Sequence, residues 1–253
     1  MDRLDGIAER ARLYLDGKNA ARDVALARSR ELIRYCANTI RATHRGEFDE
    51  AENLLATARQ AAANMVAGLE GHADLYHAGY TQDALKEFAE ASITFCLITD
   101  RPLPTPEELA VLPDTYLNGL GEAAGELRRY VLDVVRHGKV ERCESMLQAM
   151  EDIYSLLVTM DYPDAVTSGL RRTTDMEGTH RELGTRLANR LRRNNAHRFA
   201  DIDQMAARKI ASVAMAADAV ARFAGNRGAH LDRLHASRFE LLDALLSFQV
   251  VLS

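Results

Sequence analysis

The sequence predicts an all-α protein, a multi-helix antiparallel bundle. Helical spacing of apolar residues runs through most of the 253 residues. Strand signals are nearly missing, with no Asn-Gly or Asp-Gly turn between alternating apolar runs and few β-branched clusters. The helical segments are joined by short connections, which favour antiparallel neighbours.

The elements follow in order. Residues 20–45 place Val24, Ala27, Leu32, Tyr35, Thr39 and Ile40 near one stripe, and Gly46 stops that helix. Residues 48–69 repeat the pattern with Ala51, Leu54, Leu55, Ala58, Ala62, Met65 and Leu69. A third helix spans about Thr81 to Thr99 and ends in a loop holding Pro102, Pro104 and Pro106. Within that loop, Thr105-Pro106-Glu107-Glu108 reads as an N-cap, a proline at the first helical position and acids in the first turn of a short helix. A fourth long helix runs from about Asp114 to Arg136, and a fifth covers about 141–159. Asp161-Tyr162-Pro163-Asp164 starts another, expected to continue to about Arg193. Beyond it, Ile210, Val213, Ala217 and Val220, then Leu241, Leu242, Leu245 and Phe248, keep helical spacing around Gly225 and Gly228.

Composition narrows the function classes. Apolar residues are 47% and charged residues 27%, close to a globular average. No apolar run reaches the length of a membrane span, and the charged N-terminus lacks the apolar core of a signal peptide. Cys36, Cys96 and Cys143 are isolated, so they read as reduced thiols of a cytoplasmic protein, with Cys36 and Cys96 on apolar faces as core thiols. The first 176 residues carry 29 acidic and 20 basic residues, whereas the last 77 carry 12 basic and 8 acidic. That shift points to a boundary near residue 177. Phosphate-binding glycine loops, a serine elbow, His-Glu-x-x-His and zinc-type Cys/His spacings are all missing.

Carboxylates remain as carriers of chemistry. Glu87 and Glu90 stand three apart, and Glu122 and Glu126 four apart, so each pair shares one helix face. On the third helix Leu85, Phe88, Ala89, Ser92 and Cys96 face one way, with Glu87, Glu90 and Thr94 opposite. Like charges at such spacing cost helix stability, and a divalent cation would offset that cost. Mg²⁺ prefers a few carboxylates plus waters, and there it would ready a water to attack phosphorus. A solvated acidic face is the plainer alternative. Arg28, Arg30, Arg34, Arg41 and Arg45 on the first long helix, with Arg128 and Arg129, are candidate phosphate contacts because the guanidinium fork suits two oxygens. The net charge of −5 argues against indiscriminate nucleic-acid binding and leaves room for a local basic patch.

Four stretches resemble the translin family over roughly residues 20–193. They are Ser29-Arg30-Glu31-Leu32 with Ile40-Arg41-Ala42-Thr43-His44-Arg45, then Ala84-Leu85-Lys86-Glu87-Phe88-Ala89-Glu90-Ala91, then Asp114 to Arg129 with its Gly125-Glu126-Leu127 core, and the helix started by Gly138 with Tyr154 near its end. The resemblance implies a seven-helix bundle assembled into a closed octameric shell that binds single-stranded RNA and DNA. It implies, for the family's catalytic branch, a Mg²⁺-dependent (or Mn²⁺-dependent) endoribonuclease with acidic residues on the inner wall. Glu87, Glu90 and Glu126 match those acids, and Glu122 stands where the catalytic branch has an aspartate. All four are therefore expected as metal ligands and catalytic groups, with Arg30, Arg34, Arg41, Arg45, Arg128 and Arg129 holding the strand. Homo-oligomers or a paralogous subunit would complete the shell. The family ends near residue 193, so the resemblance implies a bundle of residues 1–193 followed by a helical extension over residues 194–253. A nonenzymatic single-strand binder and a purely structural scaffold are the alternatives.

Overall fold

The computed structural model describes residues 2–136 and 143–175. The chain divides into two units, Met1–Arg192 and Arg193–Ser253, and all described residues lie in the first. The extension expected over residues 194–253 thus lies outside the described residues, as does most of the stretch expected to be helical up to Arg193. Helices α1 (Asp2–Arg45), α2 (Phe48–Ala67), α3 (Ala73–Tyr76), α4 (Gly79–Ile98), α5 (Pro106–Leu109), α6 (Pro113–Arg136), α7 (Cys143–Leu157) and α8 (Asp164–Thr167) follow one another with no strand among the described residues. None of them is long and apolar enough to cross a membrane.

At 44 residues, α1 is the longest helix among the described residues, and 1.5 Å per residue makes it about 66 Å long. It reaches further toward the N-terminus than the expected start near residue 20. Its early turns are exposed, with Leu4, Leu13 and Tyr14 facing outward. Gly46 ends it in the left-handed region at φ 76°, with Gly46 N donating to Thr43 O and Glu47 N to Ala42 O, both at 3.0 Å. The face that packs overlaps the expected stripe at Leu32, Thr39 and Ile40 and departs from it over the turns before them, where Ala27 is exposed. Val24 is exposed, whereas Ala25, Ser29, Leu32 and Cys36 are buried. Small side chains at positions 25 and 29 let α2 and the following loop approach closely. Ser29 Oγ turns back onto Ala25 O at 2.9 Å and touches Met65 Sδ at 3.4 Å.

Helix α4 packs against α1, α2 and α6 and is buried nearly all round. Ala84, Leu85, Phe88, Ala89, Ala91, Ile93 and Phe95 are all 1% exposed or less. Glu90 and Thr94, expected on a polar face, are buried with them, on a helix packed by α1, α2 and α6. Cys96 is only half-buried, so of the two thiols expected in the core Cys36 alone is there; Cys143, on α7, is buried as well. Thr105 closes a full capping box with Glu108, and Pro106 opens α5 as the sequence predicts.

Two glycines set how α6 packs. A Cβ on Gly119 would stand 2.9 Å from both Ala89 Cβ and Lys86 O, so α4 and α6 cross in direct backbone contact there. A Cβ on Gly121 would stand 2.4 Å from Thr173 Cγ2, on the segment after α8. The helix expected to run unbroken from Asp164 is interrupted. Ser168 (φ 53°) and Gly169 (φ 85°) are both left-handed, and helical structure resumes at Leu170.

Candidate metal centre

The close crossing at Gly119 and Ala89 lies next to the four glutamates. From it, α4 presents Glu87 and Glu90, and α6 presents Glu122 and Glu126. Three of them converge: one carboxylate oxygen from each of Glu87, Glu90 and Glu122 lies within 4.8 Å of the others. Glu90 is buried, while Glu87 and Glu122 are half-buried. Burial, helped by the charges of Glu87, Glu122 and Glu126, pushes the Glu90 carboxyl up to about 8. Burial also raises Glu87, against the lowering pull of Lys86.

Glu126 is engaged differently. His44, at the end of α1, donates through Nε2 to Glu126 Oε2 at 2.5 Å, and its side chain is 8% exposed. That hydrogen bond holds the Glu126 carboxyl below its ordinary value despite partial burial, with smaller help from Arg129 and Arg128. The other ring nitrogen, Nδ1, is buried with no partner among the described residues. Lys86 Nζ donates to Glu122 Oε1 at 2.7 Å. Sequence reasoning missed both of these partners. His44 lies inside the first translin-like stretch, four residues after buried Ile40, so its place on the edge of the packed face was legible. Lys86 lies inside the second translin-like stretch, but nothing in its spacing pointed to Glu122 on another helix.

The donor set fits a hard divalent cation. Such ions take oxygen ligands from one or more carboxylates and fill the remaining positions with water. Small side-chain rotations close oxygens 4.8 Å apart to an octahedral edge or axis. A buried carboxyl pushed up to about 8, with Lys86 only partly offsetting burial and the neighbouring carboxylates, is the expected state of such a site before a cation joins it.

The candidate strand contacts are distributed on one side of α1. At 3.6 residues per turn, positions 30, 34, 41 and 45 fall within about 60° of arc. All four arginines are exposed. Arg34 stands 3.8 Å from Glu31 and over the Tyr35 ring, Arg41 donates to Asn38 Oδ1 at 2.6 Å, and Arg45 pairs with Glu47. Arg129 is exposed at 3.9 Å from Glu126. Arg128 is half-buried, and its Nε has no partner among the described residues. Arg28 is committed elsewhere: its guanidinium donates to Asn64 O at 2.7 Å, at the C-terminal end of α2, where it fills the space left by Gly68.

No protein-family model matches the chain. An uncharacterized protein of Methanocaldococcus jannaschii is 30% identical over 186 residues, covering 70% of this chain and 81% of that protein. The crystal structure of AfC3PO is 32% identical with a TM-score of 0.67, covering 74% of this chain and 98% of its own. The chain belongs to the translin family. A second structure of this translin relative, AfC3PO with duplex RNA, gives 30% identity and a TM-score of 0.64 over the same shares. Apo-NeC3PO, at 21% identity and a TM-score of 0.64, covers 74% of this chain and 95% of its own and shares the translin fold.

Proposed function

We propose that this translin-family protein is a cytoplasmic single-strand-binding endoribonuclease dependent on Mg²⁺ or Mn²⁺, working in an oligomeric shell of its own copies or with a paralogous subunit. The observation that carries the reading is the convergence of Glu87, Glu90 and Glu122 within 4.8 Å across two helices. The related AfC3PO solved with duplex RNA supports RNA as the ligand.

Glu87, Glu90 and Glu122 would hold the cation, which supplies Lewis-acid activation of the attacking oxygen and balances charge growing on the phosphate. Glu126 stays ionised against the His44 Nε2 proton and adds negative potential beside the three. The α1 arginines, Arg128 and Arg129 attract the strand and hold its phosphates. Burial of Glu90 keeps bulk water from screening the centre.

Cleavage of labelled single-stranded RNA by wild type in Mg²⁺, none in EDTA, and none by Glu87→Gln or Glu126→Ala is the expected outcome. Full activity in those variants would sink the assignment. A nonenzymatic binder is the second reading. It is favoured by the way Lys86 and His44 already hydrogen-bond two of the four glutamates. It predicts retarded but uncut RNA in every lane.

A further inference from the structure

We propose that the cleft beside the three glutamates seats a phosphate of the bound strand, with Lys86 and Arg172 as its cations, and that metal binding switches this seat on. The proposal rests on the metal-centre reading above and extends it to the strand.

The cleft measures about 380 Å³ and lies between α4, α6 and the segment after α8. Its floor is preorganised. Thr115 Oγ1 donates to Gln82 Oε1 at 2.7 Å. Asn118 Nδ2 donates to Asp114 O and Thr167 O, both at 2.9 Å, and Asn118 Oδ1 accepts from Thr173 Oγ1 at 3.0 Å. These polar groups are spent on one another, so ligand recognition falls to the charges on the walls: Lys86, Arg172, Asp83 and Glu122.

Arg172 is placed by backbone geometry. The left-handed pair Ser168 and Gly169 turns the chain, Arg172 N donates to Gly169 O at 3.0 Å, and Gly121 admits Thr173 against α6. Its side chain is exposed and makes no ion pair or side-chain hydrogen bond among the described residues. A guanidinium lining a polar cleft, with no ion pair among the described residues, is suited to an oxyanion.

Charge couples the cleft to the metal centre. Without metal the two cations face two carboxylates, and Lys86 is spent on Glu122 at 2.7 Å. A divalent cation on Glu122 competes for that carboxylate and repels the ammonium. Lys86 is then released toward the cleft it already lines, which becomes net positive. Phosphate and metal therefore favour each other, and the coupling is reciprocal. The strand then lies with one phosphate at the glutamates and a neighbouring one in the cleft.

The full-length protein tests this with labelled single-stranded oligodeoxythymidine, read by fluorescence anisotropy in Mg²⁺ and in EDTA, and with Mg²⁺ affinity from calorimetry. Arg172→Ala is expected to weaken strand binding in Mg²⁺ about tenfold, as for a lost charge-assisted contact, with Mg²⁺ affinity unchanged. Lys86→Gln is expected to weaken strand binding and tighten Mg²⁺ binding several-fold. A merely structural lysine would weaken both. Strand affinity equal to wild type in both variants, or looser Mg²⁺ binding by Lys86→Gln, overturns the cleft while leaving the metal centre standing. Absence of Mg²⁺ uptake by wild type overturns the metal reading and the coupled cleft together.

Discussion

His44 donates through Nε2 to Glu126 Oε2 at 2.5 Å, joining the end of α1 to α6 across 82 residues of sequence. Glu126 owes its lowered pKa chiefly to this bond, opposed by desolvation. His44→Ala removes the donor and leaves the desolvation, so urea melts should show a loss of about 1–3 kcal/mol at pH 7. A carboxyl depressed in the folded state stabilises above its unfolded pKa and loses that contribution as pH falls through the folded value. The gap between wild type and His44→Ala should therefore shrink in acid. His44→Gln, which keeps an N–H donor, should recover part of the loss, and an equal deficit in both variants would argue that packing, not the hydrogen bond, is what matters.

Glu90 titrates in the opposite sense. Its carboxyl is raised from 4.5 to about 8 in the folded state. Between those values the folded protein retains a proton that the unfolded chain releases, so stability in EDTA should fall as pH rises from about 5 to 8 and level off above. Saturating Mg²⁺ should flatten that slope. Glu90→Gln should raise the EDTA melting temperature at pH 8 and abolish the Mg²⁺ effect. Calorimetry in buffers of different ionisation enthalpy should show about one proton released per Mg²⁺ bound at pH 7.

The α4–α6 crossing is sensitive to one methyl group. Gly119→Ala places a Cβ 2.9 Å from Lys86 O and Ala89 Cβ, and backbone cannot yield as a flexible side chain does. A destabilisation of about 1–3 kcal/mol is expected. The helices must part, so Mg²⁺ affinity should drop as well. Unchanged affinity in this variant would mean that the three carboxylates adapt without the close crossing.

The arginine stripe of α1 predicts a salt signature. Each phosphate contact to a single strand contributes about 0.7 to the slope of log affinity against log salt. Arg30→Gln and Arg41→Gln should each lower that slope by about this amount and weaken binding of all sequences alike. Arg28→Gln should leave the slope alone and instead loosen the α1–α2 contact, because its guanidinium is bonded to Asn64 O. A slope untouched by any of these changes would move the strand away from α1.

What the sequence determined by itself is local. The helices, the capping box at Thr105, the stop at Gly46 and the register of Glu87 with Glu90 and of Glu122 with Glu126 follow from i, i+3 and i, i+4 geometry and from the backbone preferences of single residues. The translin-like stretches were legible for the same reason, as fixed spacings within single helices. The packed stripe of α2, with Ala51, Ala58, Ala62 and Met65 buried, was legible in the same way. Tertiary structure decided which polar residues were covered and where the helices met. It buried Glu90, chose Ala25 over Val24 for the core, separated Glu126 from the convergent three by giving it His44, and set Lys86 and Arg172 on one cleft. The α1 periodicity allowed more than one face, because alanine-rich turns are nearly as apolar on one side as on the next. The choice was made by close approach, at Gly119 against Ala89 and Gly121 against Thr173, where missing side chains let helices meet and carry distant charges into one site.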